Sequence, residues 1–565
     1  MHKRRKTLAL AAAGTSALMA LTACSGGGGG DGEGEKVVTW VINSLPAAWG
    51  SISAAGGSVY TVQMLSGVLP YTGQWQPDAT YEYDLNVLAE EPTLINEDPE
   101  AGPFEFSFTL HEDAVWSDGT PMTGEDLRVT MMMSASPTEG YCTTCDSRGT
   151  TGPDMVEEVE VDGKTATFRL KEGLANPEWM AMFDAHSAGG GFYPAHLAEE
   201  NGWDVDDPDQ LGEYYTWLHE TRPEWSGGPY QIVDGDLENQ VVKEPNPEWW
   251  GETPKLDRVI MSYNTDEGTF VNAFQNGEID GANPAQYSED VITQIEGIGA
   301  TLTVGEGNIW EHIDINTKNE FLSDVELRRA IFTAIDRDQI ASRNFGAGYP
   351  DYELKNNHIF SSDSEYYEDH ITDSGQGSGD IEAATEILEE AGYELDGDTL
   401  TLDGEQVGPF RLRSTDTVVR SNSLQLIQAQ LAEIGIETTI EMTDDLGGML
   451  GGTEYDIVQF GWSGTPYFTS SPQQFWHSES ESNFGGLEND EVDEHAIAAG
   501  TAPSLDEAAE HANAAVAAVV PEAYSLPIMA EPNYFFVSDR LANVEDNLQS
   551  SYRATYNIGE WDIAE

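Results

Sequence analysis

The N-terminal segment predicts the cellular compartment in which this chain folds. Residues 3–6 are Lys-Arg-Arg-Lys, an apolar run extends from Leu8 to Leu21, and small residues lead to Cys24. A basic start, a short apolar stretch and small residues before a cleavage point are typical of an export signal. Residues 1–23 are therefore predicted to be a signal peptide, and the remaining chain is predicted to fold outside the cytoplasm.

The sequence Leu-Thr-Ala-Cys at residues 21–24 resembles the lipobox of bacterial lipoproteins, in which the cysteine is acylated and becomes the first residue of the mature chain. The resemblance implies that Cys24 carries lipid and holds the protein on the extracytoplasmic face of the bacterial cell membrane. A plain secretory signal and a membrane helix are the alternatives, although the apolar run is too short to span a bilayer comfortably. Residues 24–36 are glycine-rich and predict a flexible tether.

The chain is strongly acidic. Its 565 residues include 25 Lys and Arg against 101 Asp and Glu, which gives a net charge of −76 at pH 7. Such a surface repels nucleic acid, so nucleic-acid binding is excluded. The acidic residues are dispersed, which predicts a solvated acidic shell and suggests, as a hypothesis, a salty or alkaline habitat. With 39% hydrophobic residues, the chain can bury the cores of two or three domains.

Two cysteines remain after Cys24, namely Cys142 and Cys145. Zinc would need two further ligands at comparable spacing, and the chain has no second cysteine pair. A thioredoxin-like role would need a strand before the pair and a helix after it, whereas turn-forming sequence lies on both sides. Oxidising conditions outside the cell favour a disulfide that closes a small loop. No metal and no cofactor is predicted.

Signatures of catalysis are weak. Residues 185–189 come near a nucleophile elbow, but glycines and a Tyr-Pro pair follow where a helix should begin. The chain has no glycine-rich P-loop followed by Lys and Ser or Thr, so ATP hydrolysis is not encoded. The chain is therefore predicted not to be an enzyme. An exported hydrolase is the alternative, which cleavage of candidate peptides would reveal.

The segment from Val115 to Leu127 predicts a turn at its Asp-Gly pair and then a helix capped by Thr123, with Asp126 completing a capping box. This segment resembles a signature of the family 5 extracellular solute-binding proteins, the peptide- and nickel-binding receptors of ABC importers. Further segments match that family in its order, from about residue 37 to the C-terminus. They are residues 228–230, 246–251, 254–257, 274–280, 315–317, 324–330, 334–337, 388–393, 430–431, 434–436, 455–456 and 461–462.

The resemblance implies an α/β chain with the two-lobed fold of class II periplasmic binding proteins and an extra subdomain. Lobe I would combine residues 37–58, 227–303 and 530–565. Residues 59–226 would form the extra subdomain, and residues 304–529 would form lobe II. Two crossings of the chain would form a hinge, and the ligand would lie in the cleft between the lobes.

The resemblance also implies a function. The protein would bind an oligopeptide or a dipeptide-like solute outside the cell and deliver it, as a monomer, to the permease and ATPase of an ABC importer. A receptor for a non-peptide solute is one alternative. A receptor-like scaffold that serves envelope assembly or signalling without transport is another. In either form of receptor, the lobes close only as far as the ligand binds the closed arrangement better than the open one.

The clearest site prediction concerns residues 462–465. Peptide-binding members of the family carry a Gly-Trp pair and, three residues after the tryptophan, an aspartate that pairs with the amino terminus of the peptide. Here Trp462 is followed by Ser463, Gly464 and Thr465, so threonine occupies the position of the aspartate. Because a buried ammonium needs a charged partner, this difference weakens the case for a ligand with a free N-terminal amine.

Four other residues complete the predicted site. Arg413 lies near where dipeptide-binding members place a carboxylate-binding arginine, and an arginine on a surface strand is the alternative. Asn43, Asn283 and Trp310 match family positions that line the cleft, although each could instead pack within a lobe. Binding of nickel or haem is not favoured, because no paired histidines or methionine-rich patch gathers near these segments.

Overall fold

The computed structural model describes residues 35–564, except residues 54–55, 79, 100, 147–150, 188–189, 264–266, 285–286, 299, 453 and 465. The predicted signal peptide, most of the predicted tether and Cys24 lie outside the described residues, and so does Thr465. Among the helices of the described part, none combines the length and the apolar character that a membrane crossing requires.

The first strand is β1 (Val37–Ile42). The sequence predicts a strand with these bounds, because a run of apolar and β-branched residues is followed by turn-forming residues at 43–46. Short sheets and helices follow up to residue 226. The strands are β2 (Gly73–Trp75), β3 (Tyr81–Tyr83), β4 (Thr93–Asn96), β5 (Glu105–Thr109), β6 (Val156–Asp162) and β7 (Thr165–Leu170). The helices are α1 (Val59–Leu65), α2 (Gly124–Ser134), α3 (Thr151–Asp154), α4 (His196–Glu200) and α5 (Pro208–Glu220), with 3-10 turns at Pro137–Glu139 and Trp179–Ala181.

This part of the chain has its own antiparallel sheet in the order β4-β5-β7-β6. Helix α2 begins with the predicted capping box, in which the Thr123 amide donates to the Asp126 carboxylate at 2.7 Å. The first turn of a helix leaves backbone amides without partners, and the capping box supplies partners for them. These hydrogen bonds determine where the helix starts. Cys142 and Cys145 are joined by a disulfide, with their Cα atoms 5.6 Å apart.

The middle of the chain supplies five strands of a ten-stranded sheet. Its elements are β8 (Tyr230–Gly235), β9 (Gln240–Pro245), β10 (Arg258–Tyr263), α6 (Glu267–Gln275), β11 (Gly281–Ala282), α7 (Glu289–Ile298) and β12 (Thr301–Ile315). Strand β12 is 15 residues long. Its residues from Thr301 to Ile309 are half-buried or exposed, whereas those from Trp310 to Ile315 are all buried.

The remaining elements follow the same alternation of strand and helix. The helices are α8 (Val325–Ala334), α9 (Arg337–Phe345), α10 (Ile381–Glu390), α11 (Val418–Glu433), α12 (Leu446–Gly451), α13 (Ser471–Trp476), α14 (Asp490–Thr501) and α15 (Leu505–Glu522), with 3-10 turns at Thr372–Ser374 and Arg553–Glu560. The strands are β13 (Glu394–Asp396), β14 (Thr399–Leu402), β15 (Glu405–Gln406), β16 (Phe410–Thr415), β17 (Thr438–Thr443), β18 (Ile457–Ser463), β19 (Ser525–Val537), β20 (Leu541–Ala542) and β21 (Asp562–Ile563).

Ten of these strands form one mixed sheet in the order β17-β16-β18-β12-β19-β11-β1-β10-β9-β8. At one end β1 runs parallel to β10 and β11, and at the other end β16 runs parallel to β17 and β18. The two long strands β12 and β19 are antiparallel and lie at the centre. Each end of the sheet contributes to its own buried apolar cluster, one around Trp40 and Trp561 and the other around Leu412 and Ile457.

Candidate functional site

The central pair of strands is interrupted at one place. Glu306 of β12 lies opposite Pro532 of β19, and the next aligned pair is Trp310 with Ala530. Residues 307–309 therefore face a single residue, Glu531. Gly307 is required here, because a Cβ atom at this position would lie 2.2 Å from the carbonyl oxygen of Glu531. Extra residues on one strand break the hydrogen-bond ladder and bend the strand locally.

The predicted Gly-Trp segment lies directly beside this interruption. Trp462 of β18 pairs with Trp310 of β12, Ser463 pairs with Ile309, and the Gly464 amide donates to the carbonyl of Asn308. The structure thus places Trp462, Ser463 and Gly464 against the irregular part of β12.

Gly461 is fixed by the same packing. A Cβ atom at this position would lie 2.7 Å from Ile309 Cγ2 and 2.8 Å from Glu311 Oε1. The glycine of the Gly-Trp pair therefore lets β18 approach β12 and the Glu311 carboxylate closely.

The two tryptophans differ in their surroundings. Trp462 is half-buried and stacks on Phe475, with ring centroids 4.7 Å apart. Trp310 is only 5% exposed, and its ring packs against His312 at 4.7 Å and lies 5.7 Å from the Lys355 ammonium. Part of the Trp462 ring is therefore exposed to solvent, whereas the Trp310 ring is buried.

Asn43 and Asn283 lie where two neighbouring parallel strands end. Trp40 of β1 aligns with Gly281 of β11, so the residues that follow these strands emerge at the same edge of the sheet. Asn283 is 2% exposed, and its amide donates to the carbonyl of Tyr534 at 3.1 Å. Its Oδ1 atom has no partner among the described residues. A buried acceptor without a donor is a point at which a polar ligand gains a hydrogen bond.

Arg413 is held by acidic residues of neighbouring segments. Its Nη1 donates to the Glu454 carbonyl at 2.9 Å and lies 3.4 Å from the Glu454 carboxylate, and its Nε lies 3.6 Å from Glu441. A ligand carboxylate would have to compete with both glutamates for this guanidinium.

A second arginine, which sequence reasoning missed, lies beside the Gly-Trp segment. Arg420, in the first turn of α11, donates to Glu311 at 2.7 Å, and the side-chain amide of Gln459 donates to the same carboxylate at 2.8 Å. Glu311 is 2% exposed, so its charge is neutralised by a close partner, as a buried charge requires. Burial and the nearby Glu311 raise the pKa of Glu531 to about 7. The sequence offers no local signal for this pair, because Arg420 and Glu311 are 109 residues apart.

Two distant segments meet through hydrogen bonds that the sequence did not predict. One Glu178 oxygen accepts from the amides of Phe468 and Thr469 at 2.9 and 3.1 Å, and the other accepts from the Thr469 hydroxyl at 2.7 Å. Nearby, the Tyr467 hydroxyl donates to the fully buried carboxylate of Asp184. Burial raises the pKa of Glu178 to about 7, against the opposing effect of these donors.

An aromatic group surrounds this contact. Tyr467 packs edge-on against Trp75 at 6.0 Å and against the His186 ring at 5.9 Å, and Trp75 packs against Tyr81 at 5.5 Å. Trp75 Nε1 is buried without a partner among the described residues. The contact thus combines apolar ring surface with an unused hydrogen-bond donor.

The fold, in which two long antiparallel strands join the two ends of one mixed sheet, is that of the periplasmic binding proteins. A solved structure of the periplasmic EDTA-binding protein EppA matches with a TM-score of 0.84 and 27% identity, covering 94% of this chain and 98% of that one. The oligopeptide-binding protein AppA of Bacillus subtilis, solved with a nonapeptide, matches with a TM-score of 0.71 and 18% identity, covering 94% and 100%.

Sequence comparison defines the group more narrowly. The model of the bacterial extracellular solute-binding proteins, family 5, matches residues 87–484, which is more than half of the chain. This chain belongs to that family, whose members bind peptides or small solutes and work with ABC permease and ATPase subunits. The oligopeptide-binding protein OppA of Mycobacterium tuberculosis is 27% identical over 513 residues, covering 89% of this chain and 81% of that protein.

Proposed function

We propose that this protein is a lipid-anchored receptor on the extracytoplasmic face of the bacterial cell membrane that encloses an oligopeptide or dipeptide-like solute and delivers it to an ABC importer. Membership of the solute-binding family supports the binding role. The names of two relatives, the oligopeptide-binding proteins OppA and AppA, support a peptide as the solute. The sequence around Cys24 supports the anchor.

The observation that carries the proposal is the interruption between β12 and β19. The proposed lobe I comprises residues 37–58, 227–303 and 530–565, and the proposed lobe II comprises residues 304–529. Both crossings between them lie within a few residues of the bulge at residues 307–309 and Glu531. A bulge in two central strands gives a bend that a hinge can use, because few ladder hydrogen bonds must change as the lobes move.

The contacts of Glu178 and Asp184 support a closed arrangement. Both residues belong to the proposed extra subdomain, residues 59–226, whereas residues 467–469 belong to the proposed lobe II. Hydrogen bonds between these segments have to break if the lobes separate at the hinge. They therefore contribute to the free-energy difference between the closed and open forms, to which the ligand adds its own differential affinity.

The proposed ligand lies near the bulge, between the ends of β1 and β11 and the segment from Trp462 to Gly464. Trp462 would stack on an apolar part of the solute, and Asn43 and Asn283 would bind its polar groups. Trp310 would support Trp462 from within lobe II. Arg413 would bind an anionic group only if that group displaced Glu441 and Glu454.

A non-peptide solute is the second candidate. Thr465 stands where peptide-binding relatives place an aspartate, so a free amine lacks that anionic partner. The similarity to a protein named for binding EDTA favours a solute that carries carboxylates rather than a free amine.

The identity of the co-purifying molecule tests both candidates. Mature protein is purified without added peptide and denatured, and the released molecule is identified by mass spectrometry. A peptide supports the first candidate, and a carboxylate-rich non-peptide supports the second. Incubation of the protein with candidate peptides should leave their masses unchanged, since we propose no catalytic activity. If no solute co-purifies and calorimetry with peptides and polycarboxylates shows no heat, the receptor function is wrong.

A further inference from the structure

Two histidines face each other on the helical hairpin formed by α14 and α15. The helices are joined by three residues, and His495 and His511 lie one on each. Their Nδ1 atoms are 3.1 Å apart, and their ring centroids are 5.3 Å apart with the planes tilted by 35°. Both side chains are partly exposed, so solvent reaches the pair.

The distance between the two nitrogens allows two interpretations. In a hydrogen bond, one Nδ1 carries a proton and donates, and the other Nδ1 is unprotonated and accepts the hydrogen bond. In a metal site, both nitrogens are unprotonated and share one ion. Transition ions bind imidazole nitrogen at about 2.0–2.1 Å, and an ion at that distance from two nitrogens 3.1 Å apart would be bonded at an angle of about 98°. This angle lies between the roughly 90° of octahedral and the roughly 109° of tetrahedral coordination.

We propose that His495 and His511 bind a divalent transition ion such as Ni²⁺, Zn²⁺ or Cu²⁺ at a site separate from the proposed solute cleft. Imidazole pairs prefer these ions to Mg²⁺ and Ca²⁺, which prefer oxygen ligands. Within the described residues no group of three or more His, Cys, Asp or Glu side chains is arranged to hold a metal. Water therefore completes the coordination shell.

The surrounding charge favours a cation. Glu494 and Glu510 immediately precede the two histidines and are exposed, and the whole chain carries a net charge of −76. Such a field raises the local concentration of divalent cations without selecting among them. The histidine pair supplies the selectivity for transition ions.

Bridging the two helices has a structural consequence. Val516 and Val519 of α15 belong to the same buried cluster as Trp310 and Trp476. Val492 of α14 belongs to this cluster as well, so an ion held by one histidine from each helix adds a second link between the two helices and binds only when the hairpin is formed. It therefore stabilises the folded protein by mass action.

Calorimetry tests the proposal. Mature protein without a histidine tag is titrated with NiCl₂, and separately with ZnCl₂, in excess Mg²⁺ that occupies weak carboxylate sites. We expect one site in the native protein and at least a tenfold loss of affinity in His495→Ala and in His511→Ala. His477→Ala is the matched control, because His477 is also partly exposed but its Nδ1 accepts from the Glu479 amide at 3.1 Å. Equal affinity in the native protein and both hairpin variants would overturn the proposal.

A second measurement separates binding from a folding defect. His511→Gln keeps a side chain that hydrogen-bonds His495 but removes an imidazole ligand. Addition of Zn²⁺ should raise the melting temperature of the native protein and of His477→Ala, and should leave that of His511→Gln unchanged. The same rise in all three proteins would show that the ion acts elsewhere and would overturn the proposal. A co-purified solute retained by every variant would show that the solute cleft is independent of this pair.

Discussion

The carboxylate of Glu178 accepts a hydrogen bond from the hydroxyl of Thr469 at 2.7 Å across 291 residues of sequence. Its other oxygen accepts from two backbone amides of the same short segment. A carboxylate with three donors aimed at it is held in one geometry, so this contact fixes how residues 178–186 sit against residues 467–469.

The Glu178 contact predicts a pH dependence. Burial raises the pKa of Glu178 to about 7 from 4.5, so the folded protein holds this proton more tightly than the unfolded chain does. Stability from this group therefore rises as the pH falls from above 7 towards 4.5, and it is lost as the pH rises through 7. Glu178→Gln keeps an acceptor without the charge. The free energy of unfolding of Glu178→Gln, taken relative to that of the native protein, should therefore increase by up to roughly 3 kcal/mol between pH 5 and pH 8.

Urea unfolding at several pH values measures this difference. Glu172→Gln, at an exposed position a few residues earlier in the chain, is the control and should follow the native protein. If Glu178→Gln and Glu172→Gln show the same pH profile, the ionised Glu178 is not costly in the folded protein.

The two paired tryptophans should respond differently to truncation. Trp462→Ala removes a half-exposed ring and should weaken solute binding by roughly 1–3 kcal/mol with little change in stability. Trp310→Ala empties a buried position and should lower the free energy of unfolding by roughly 3–5 kcal/mol. Calorimetry with the co-purified solute and chemical unfolding distinguish the two effects. Loss of stability in Trp462→Ala without loss of affinity would place its ring in the core rather than in the site.

Restoring a carboxylate at residue 465 should change ligand preference. Thr465→Asp supplies the anion that pairs with a peptide amine in relatives, so it should favour a free-amine peptide over its N-acetylated form. Thr465→Asn has the same shape without the charge and should leave the preference unchanged. Calorimetry with both peptides gives the ratio of affinities. If the native protein already binds the free-amine peptide far better, another acidic group serves this role.

The acidic surface predicts salt-dependent stability. Repulsion among 101 acidic residues is reduced as the Debye length falls from about 30 Å at 0.01 M salt to about 3 Å at 1 M. The melting temperature should therefore rise between these concentrations of KCl. Sucrose, which screens no charge, serves as the comparison. A melting temperature that KCl leaves unchanged would contradict the hypothesis of a salt-adapted surface.

The proposed lipid anchor would be attached through one atom, the Cys24 sulfur. Cells that express the native protein should show it in the membrane fraction and labelled by a fatty-acid probe, and Cys24→Ser should abolish the label and release the protein from the membrane. Cys142→Ser, which alters a cysteine far from the signal, should keep the label. Labelling of Cys24→Ser would show that lipid is attached elsewhere or that no lipobox is present.

Some features followed from sequence because they depend on neighbouring residues. The strand Val37–Ile42 and the capping box of Thr123 and Asp126 depend on local hydrogen bonds and local apolar spacing, and both predictions are confirmed. The family and its fold were identified from the ordered series of short segments, which the match over residues 87–484 confirms. The site residues of the predicted cleft and the lobe boundaries stay predictions.

Only the tertiary structure decided which distant residues meet. Sequence reasoning did not pair Glu178 with Thr469, Arg420 with Glu311 or His495 with His511, because each contact depends on how separate strands and helices pack. It also left open whether Trp310 and Trp462 are equivalent, since both are aromatic residues on paired strands. The sheet settles their difference by burying one ring against His312 and leaving part of the other exposed. Local patterns determine elements, but burial and long-range pairing are properties of the packed chain.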